Sequence, residues 1–241
     1  KGAPVNLVEG RLTTARHKLS TPQPATPEAV VAAVVAVAGE FDSHGSVGVA
    51  VPAVVKHGMA HTAANIDPAW IGCDIGRLLH EALGRPVAVL NDADAAGIAE
   101  MRFGAGKAQR GTVVMLTLGT GIGSAVFVDG TLVPNTEFGH MDIRGKEAEH
   151  RASAQRRKDD NLSWEKWATN VSEVLVAIER LLWPDLYIIG GGVSRKHEKF
   201  LSLLECRTPV VTAELGNDAG IVGAALATNG GQTSVGSREG R

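Results

Sequence analysis

Between Gly111 and Val128 the chain reads G-T-V-V-M-L-T-L-G-T-G-I-G-S-A-V-F-V, and this stretch constrains the fold most tightly. Thr112 to Leu118 is a β-branched and apolar run, as expected of a buried strand. It stops abruptly at Gly119-Thr120-Gly121-Ile122-Gly123. Glycines there can take positive φ angles and let the backbone approach a ligand, so that N–H groups converge on an anion while Thr120 adds a hydroxyl donor. Ser124 to Val128 is strand-like again and closes in the Asp129-Gly130 turn. A Rossmann fingerprint would lead into a helix and a P-loop would need Gly-Lys-Ser/Thr, so both are excluded. A phosphate loop and an ordinary Gly-rich hairpin share the pattern that is left.

A second stretch bears on that choice. Pro86 to Leu90 is a short apolar strand, and Asn91-Asp92-Ala93-Asp94-Ala95-Ala96 opens a helix expected to run to about Phe103. An acid at a strand end beside a helix N-terminus sits where reactive groups collect in open α/β sheets. Asp92 is equally suited to capping the helix, as are Asn91 and Asp94, so the cluster holds more polar side chains than capping requires. A carboxylate together with a phosphate loop suggests phosphoryl transfer to a hydroxyl.

The rest of the chain alternates strand and helix. Thr26-Pro27-Glu28 starts an Ala/Val-rich helix that ends at Gly39, with a cap, a first-turn proline and an acid near the positive end. Gly45 to Val51 is a strand, and Asn65-Ile66-Asp67-Pro68-Ala69-Trp70 is a loop that is either a sugar platform or a capped turn. A helix over about Asp74 to Leu83 precedes the Asp92 strand. This order predicts a parallel or mixed sheet covered by helices. Phe103 to Arg110, rich in Gly and basic residues, has the composition of a hinge.

Beyond the glycine loop, Glu137 and His140 stand three residues apart and can both face a ligand or both face water. Glu147 to Asp160 is densely charged, the usual pattern of a solvated helix face. Ser163 to Leu182 is the longest amphipathic helix, with Trp164 and Trp167 expected in the core. Asp185 to Ile189 is a strand, and Gly190-Gly191-Gly192 leads into a helix expected from about Arg195. That turn either faces a phosphate chain or lets two elements pack closely. Val210-Val211 is a last strand and Ala219 to Ala227 a Gly/Ala-rich helix, followed by a tail, 229–241, with little apolar content.

Composition limits the function classes. With 241 residues, 44% of them hydrophobic and 21% charged, the chain can build one large domain or two lobes around a real core. A net charge of -2 gives no basic field for nucleic acid, so any polyanion must be gripped locally. Cys73 and Cys206 belong to no C-x-x-C pair and suit a reducing compartment. No stretch approaches the roughly 18 apolar residues of a membrane span, and no signal peptide opens the chain, so the expected location is the cytoplasm.

Taken in order, these motifs resemble the ROK-type sugar kinases of the actin-like ATPase superfamily, and within them the branch that phosphorylates glucose from polyphosphate or ATP. Leu118-Gly119-Thr120-Gly121-Ile122-Gly123 looks like the family's second phosphate loop, and Asn91-Asp92-Ala93-Asp94-Ala95-Ala96 like its catalytic segment. Ala64-Asn65-Ile66-Asp67 and Glu137-Phe138-Gly139-His140 resemble its sugar-contacting elements, and Glu149 its further sugar-binding glutamate. Gly190-Gly191-Gly192 is similar to the adenosine-side turn, and Gly220-Ile221-Val222-Gly223-Ala224-Ala225 to the closing helix.

The resemblance implies an α/β, two-lobed actin-like (ribonuclease H-like) fold with mixed sheets flanked by helices. Residues 1–105 would form the smaller lobe, completed by the helix near 219–227, and 106–218 the larger. It implies Asp92 as general base on the sugar 6-hydroxyl and Asn65, Asn91, Glu137, His140 and Glu149 as holders of the other hydroxyls. Gly119, Thr120, Gly121 and Gly123 would bind phosphate, and Gly190, Gly191 and Gly192 the nucleotide side. Glucose, polyphosphate and/or ATP, Mg2+ with the donor and a homodimer follow from the same likeness; a non-catalytic sugar-binding relative and a kinase for another hexose are its alternatives.

The sequence departs from the family pattern in places. No cysteine lies near His140, so the Cys-rich zinc site of most ROK proteins is not expected. Ala53 and Asp142 stand where the branch usually has Gly and Glu. The first phosphate hairpin would end just before Lys1-Gly2, and its absence points to a truncated or incompletely recorded sequence. Lys107, Arg144, Lys146, Arg156 and Arg157 suit either a polyanion groove or surface charge. A groove would make polyphosphate-dependent activity fall steeply with ionic strength.

Overall fold

A computed structural model describes residues 1–63 and 66–229. In chain order the strands are β1 (Val5–Asn6), β2 (Arg11–Leu12), β3 (Val47–Val51), β4 (Val55–Lys56), β5 (Met59–Ala60), β6 (Val87–Asn91), β7 (Thr112–Leu118), β8 (Ile122–Val128), β9 (Thr131–Val133), β10 (Leu186–Gly190) and β11 (Val210–Thr212). The α-helices are α1 (Pro27–Gly39), α2 (Ile75–Leu83), α3 (Asp92–Phe103), α4 (Glu149–Ala152), α5 (Ala154–Asp159), α6 (Trp164–Leu182) and α7 (Ala219–Ala227). The chain divides into two compact units, one of Lys1–Ala99 with the segment from Asp218 onward, the other of Glu100–Asn217. It passes from the first to the second at Ala99–Glu100, inside α3 and ahead of the Gly-rich stretch after Phe103.

In the first unit β3 and β6 run parallel, with Val47 opposite Val87 and Val51 opposite Asn91. Thr26 caps α1, its hydroxyl accepting the Ala29 N–H at 3.3 Å, and Asp74 caps α2 through the Arg77 N–H at 2.9 Å. α2 ends on Gly84 in the left-handed region, as helices often do. Val49, Val51, Ile75 and Leu79 are buried together with Trp70. Trp70 is only 1% exposed and donates its indole N–H to the Ala25 carbonyl at 2.8 Å. Asp67 caps the turn that Trp70 closes, accepting the Ala69 N–H at 2.8 Å. α7 closes this unit by very close approach. A Cβ on Gly48 would lie 1.9 Å from the Ala224 carbonyl oxygen, and one on Gly223 1.6 Å from that of Ala95.

The second unit is built on a five-stranded mixed sheet in the order β11-β10-β7-β8-β9. β10 lies parallel to both β7 and β11, whereas β7, β8 and β9 form an antiparallel meander. α6 packs on the sheet through Val171, Val174, Leu175 and Ile178. The Tyr187 hydroxyl donates to the Leu175 carbonyl at 2.8 Å, and burial pushes that phenol far above its ordinary range. Trp167 and Phe200 meet edge to face at 5.0 Å in the same core, with Trp164 stacked on Phe200 at 6.0 Å.

Two stretches differ from the sequence expectation. The charged run after Glu147 forms two short helices, because Ser153 ends α4 and caps α5 by accepting the Arg156 N–H at 3.2 Å. Trp167 fixes the break by donating to the Ala152 and Ser153 carbonyls at 3.0 and 3.2 Å. The helix expected from Arg195 is a 3-10 run over Gly192–Lys199, kinked at Lys196. Its segment from Arg195 to Lys199 carries no apolar side chain with which to anchor a longer α-helix. The tail from Gly230 lies outside the described residues.

Candidate functional site

In the first unit the parallel pair β3–β6 ends at Val51 and Asn91, and the chain enters α3 without an intervening loop. The Asn91 side-chain oxygen accepts the Ala93 N–H at 2.8 Å and the Asp94 N–H at 3.2 Å, while its amide donates to the Ala53 carbonyl at 3.3 Å. Capping therefore falls to Asn91, which is buried. Asp92, at the first position of α3, is released from that task. Solvent reaches its side chain, yet burial by the surrounding protein still disfavours charge and pushes the carboxyl above the usual 3.8. The Ala93 N–H and Asp92's own N–H oppose that shift by favouring the anion. Asn65 lies outside the described residues.

In the second unit Leu118 pairs with Ile122, leaving Gly119-Thr120-Gly121 as the bend between β7 and β8. The Gly119 N–H donates to the Gly121 carbonyl at 3.0 Å, and the Gly119 carbonyl accepts the Gln155 N–H at 2.9 Å. The expected positive φ angles are not used: Gly119, Gly121 and Gly123 all lie outside the left-handed region. Space is what requires glycine at 121, where a Cβ would lie 2.3 Å from a Glu149 carboxylate oxygen. That same oxygen accepts the Ile122 N–H at 3.3 Å, so Glu149 is braced against the loop. Thr120 is exposed at its tip.

The turn after β10 lies at the same sheet edge, with Gly190 opposite Thr117. Gly191 has φ +82°, and a Cβ on it would lie 2.5 Å from the Leu118 carbonyl oxygen, so both conformation and space demand glycine. The two glycine turns thus meet beyond the carboxyl ends of β7 and β10, where open α/β sheets take their ligands.

Glu137 and His140 flank a 3-10 turn, Phe138–His140, that is fastened to β8 by Ser124. The Ser124 hydroxyl donates to the Thr136 carbonyl at 2.7 Å and accepts the Phe138 N–H at 3.0 Å. Gly139 is pressed so close that a Cβ would lie 2.3 Å from the Ile122 carbonyl oxygen. Glu137, His140, Glu149 and the glycine loop therefore gather in one part of this unit. His140 places Nε2 3.7 Å from Glu137 and Nδ1 3.4 Å from Glu147.

Sequence reasoning did not single out Ser124 or Glu147. Ser124 had a signal, a hydroxyl in an otherwise apolar strand; Glu147 was hidden at the foot of a charged run. Among the described residues, His140, Glu147 and Glu149 each bring one ligand atom within 4.8 Å of the others and could hold a metal ion. An imidazole with two carboxylates suits zinc-like ions better than Mg2+, which prefers oxygen throughout. Of the cations considered for a polyanion, Arg144 pairs with Glu173 at 2.9 Å, Arg156 with Asp160 at 2.7 Å, and Arg157 lies 3.9 Å from the Trp164 ring centroid.

Comparison with known proteins finds relatives of the chain as a whole. A model of the ROK family matches residues 7–155. The chain is 54% identical over 229 residues to polyphosphate glucokinase of Mycobacterium tuberculosis (strain CDC 1551 / Oshkosh), covering 95% of this chain and 86% of that protein. Its structure is similar to the inorganic polyphosphate/ATP-glucomannokinase of Arthrobacter sp. strain KM, with TM-score 0.89 and 48% identity over 93% of this chain and 92% of that one. A ROK family glucokinase from Streptomyces griseus, solved in complex with glucose and AMPPNP, matches with TM-score 0.80 and 26% identity over 92% of this chain and 94% of that one.

Proposed function

The chain belongs to the ROK family, and from that premise we propose a glucokinase that transfers a phosphoryl group from polyphosphate, ATP or both to the 6-hydroxyl of glucose, giving glucose 6-phosphate. The actin-like fold of ROK sugar kinases, with mixed sheets flanked by helices, is the fold of this protein. The observation that carries the mechanism is the cap at Asn91, because it relieves the Asp92 carboxylate of capping at the positive end of α3.

Asp92 acts as general base. A hydroxyl is a poor nucleophile at neutral pH, and a carboxylate within hydrogen-bond reach orients it and takes its proton as the new P–O bond forms. The oxygen bridging to the rest of the donor leaves with the electron pair, as ADP or as a polyphosphate one unit shorter. Glu137, His140 and Glu149, with Asn91 and Asn65, hold the other ring hydroxyls. Such positioning contributes about 7 to 11 kcal/mol in well-oriented systems. Gly119, Thr120, Gly121 and Gly123 receive the transferring phosphate, and Gly190 to Gly192 the nucleotide side of ATP.

A divalent ion accompanies the donor, and Mg2+ fits that role because phosphate oxygens and water supply most of its ligands. When bound it neutralises charge on the donor phosphates. The His140 cluster does not suit it and is not assigned to it. Among the described residues no helix is long and apolar enough to cross a membrane, and a cytoplasmic location is part of the proposal. So is a homodimer, which sedimentation equilibrium tests.

Replacing Asp92 with Ala in the full-length polypeptide is the direct test. Turnover is expected to fall about 10²- to 10⁴-fold while calorimetric glucose affinity changes little. Near-normal turnover would remove Asp92 from the mechanism.

A further inference from the structure

His140 has two ring nitrogens and a carboxylate facing each. Nε2 lies 3.7 Å from a Glu137 oxygen and Nδ1 3.4 Å from a Glu147 oxygen. Glu137 belongs to the proposed sugar set; Glu147 does not. We infer that Glu147 is a positioning residue: it accepts the Nδ1 proton of His140, fixes the ring's orientation and tautomer, and leaves Nε2 as an acceptor for a hydrogen of a glucose hydroxyl. The inference rests on the reading of His140 as a sugar contact.

An ion pair on two mobile side chains would carry little weight, because holding both in one geometry costs entropy. Here the main chain does the holding. His140 closes a 3-10 turn, its N–H donating to the Glu137 carbonyl at 3.1 Å. The chain then folds back on itself as a tight hairpin. Ile143 N–H donates to the Lys146 carbonyl and Ala148 N–H to the Met141 carbonyl, both at 2.8 Å, and Asp142 and Glu147 form a bridge. Arg144 and Gly145 make the bend with φ of +56° and +77°, and the Asp142 carboxylate accepts the Gly145 N–H at 3.0 Å. The buried side chains of Ile143 and Ala148 anchor the returning strand. The hairpin thus carries Glu147 back to the histidine from which the chain set out.

The second Glu147 oxygen lies 3.5 Å from His150 Nδ1, and His150 Nε2 lies 3.9 Å from Glu149. Glu147 thus faces an imidazole on each side, and the row of groups runs from Glu137 through His140, Glu147 and His150 to Glu149, which braces the glycine loop. A tautomer matters to recognition because a neutral imidazole offers one donor and one acceptor, and the partner of one nitrogen decides the role of the other.

The experiment compares E147A, E147Q and H140A with wild type in the full-length polypeptide, reading KM for glucose, kcat and the 15N resonances of His140. In wild type those resonances should report the Nδ1–H tautomer. E147A should raise KM about fivefold with kcat nearly unchanged, and should lose the tautomer preference. E147Q, whose amide oxygen can still accept from Nδ1, should recover most of both. A rise of KM in H140A with E147A and wild type alike would overturn the role of Glu147 alone. An unchanged KM in H140A would overturn it together with the reading of His140. A wild-type His140 protonated on Nε2 alone contradicts the inference whatever the kinetics.

Discussion

At Asp92 chemistry and stability pull in opposite directions. Burial raises its carboxyl above 3.8, so the folded protein binds that proton more tightly than the unfolded chain. The resulting contribution to stability is complete below about 3.8 and is lost as pH rises through the native value. At neutral pH the wild type therefore carries a penalty that a neutral amide lacks. Asp92→Asn should raise the urea midpoint at neutral pH, with the gain shrinking in mild acid; a variant less stable than wild type at neutral pH would contradict the shift. Because the base must be ionised, kcat/KM for glucose, which reports the free enzyme, should fall on an acid limb placed above 3.8, and a limb at or below that value would show the carboxyl unshifted. Which of Asn91, Asp92 and Asp94 caps α3 was open in the sequence. All three side chains can cap, and only the backbone path out of β6 gives the task to Asn91.

Among the elements, those with local signals were legible. α1 carries its Thr26 cap and first-turn proline, α2 its Asp74 cap and Gly84 stop, and β7 its unbroken apolar run. The stretches that differed lacked such signals: Ser153 breaks the charged run through a capping bond, and the Trp167 indole that fixes the break comes from another helix. The glycine loop was found for a partly mistaken reason. At Gly121 it is a Cβ rather than a positive φ that matters, and the atom such a Cβ would meet, a Glu149 carboxylate oxygen, arrives from 28 positions beyond it. Gly121→Ala should therefore displace Glu149, weakening glucose binding while the melting temperature changes little, since the obstructing atom is the end of a flexible side chain. Gly223→Ala meets backbone instead and should cost about 1 to 3 kcal/mol or more, seen as a clear fall in the urea midpoint. An unchanged midpoint would show that α7 shifts without strain.

For the whole molecule the sequence supported an α/β kinase fold through the order of its motifs, each weak alone. The mixed sheet was legible because strands alternate with helices, whereas the strand order placing β10 between β7 and β11 depends on distant pairings that no local pattern records. The second unit is closed in a similar long-range way. Glu100, fully buried at its start, accepts N–H groups from Ala105, Glu214 and Leu215 at 2.8 to 3.1 Å. Glu100→Ala would leave those donors without this acceptor and should cost about 3 kcal/mol in urea unfolding, with Glu100→Gln losing less. The central claim is that the glucose 6-hydroxyl receives the phosphoryl group. It is tested most directly by 31P NMR of the full-length protein supplied with polyphosphate or ATP and either glucose or 6-deoxyglucose. The expected result is glucose 6-phosphate from glucose with at least one donor, and no sugar phosphate from 6-deoxyglucose, which should bind and inhibit. A phosphorylated 6-deoxyglucose, or bound glucose that yields no sugar phosphate with either donor, would contradict the account.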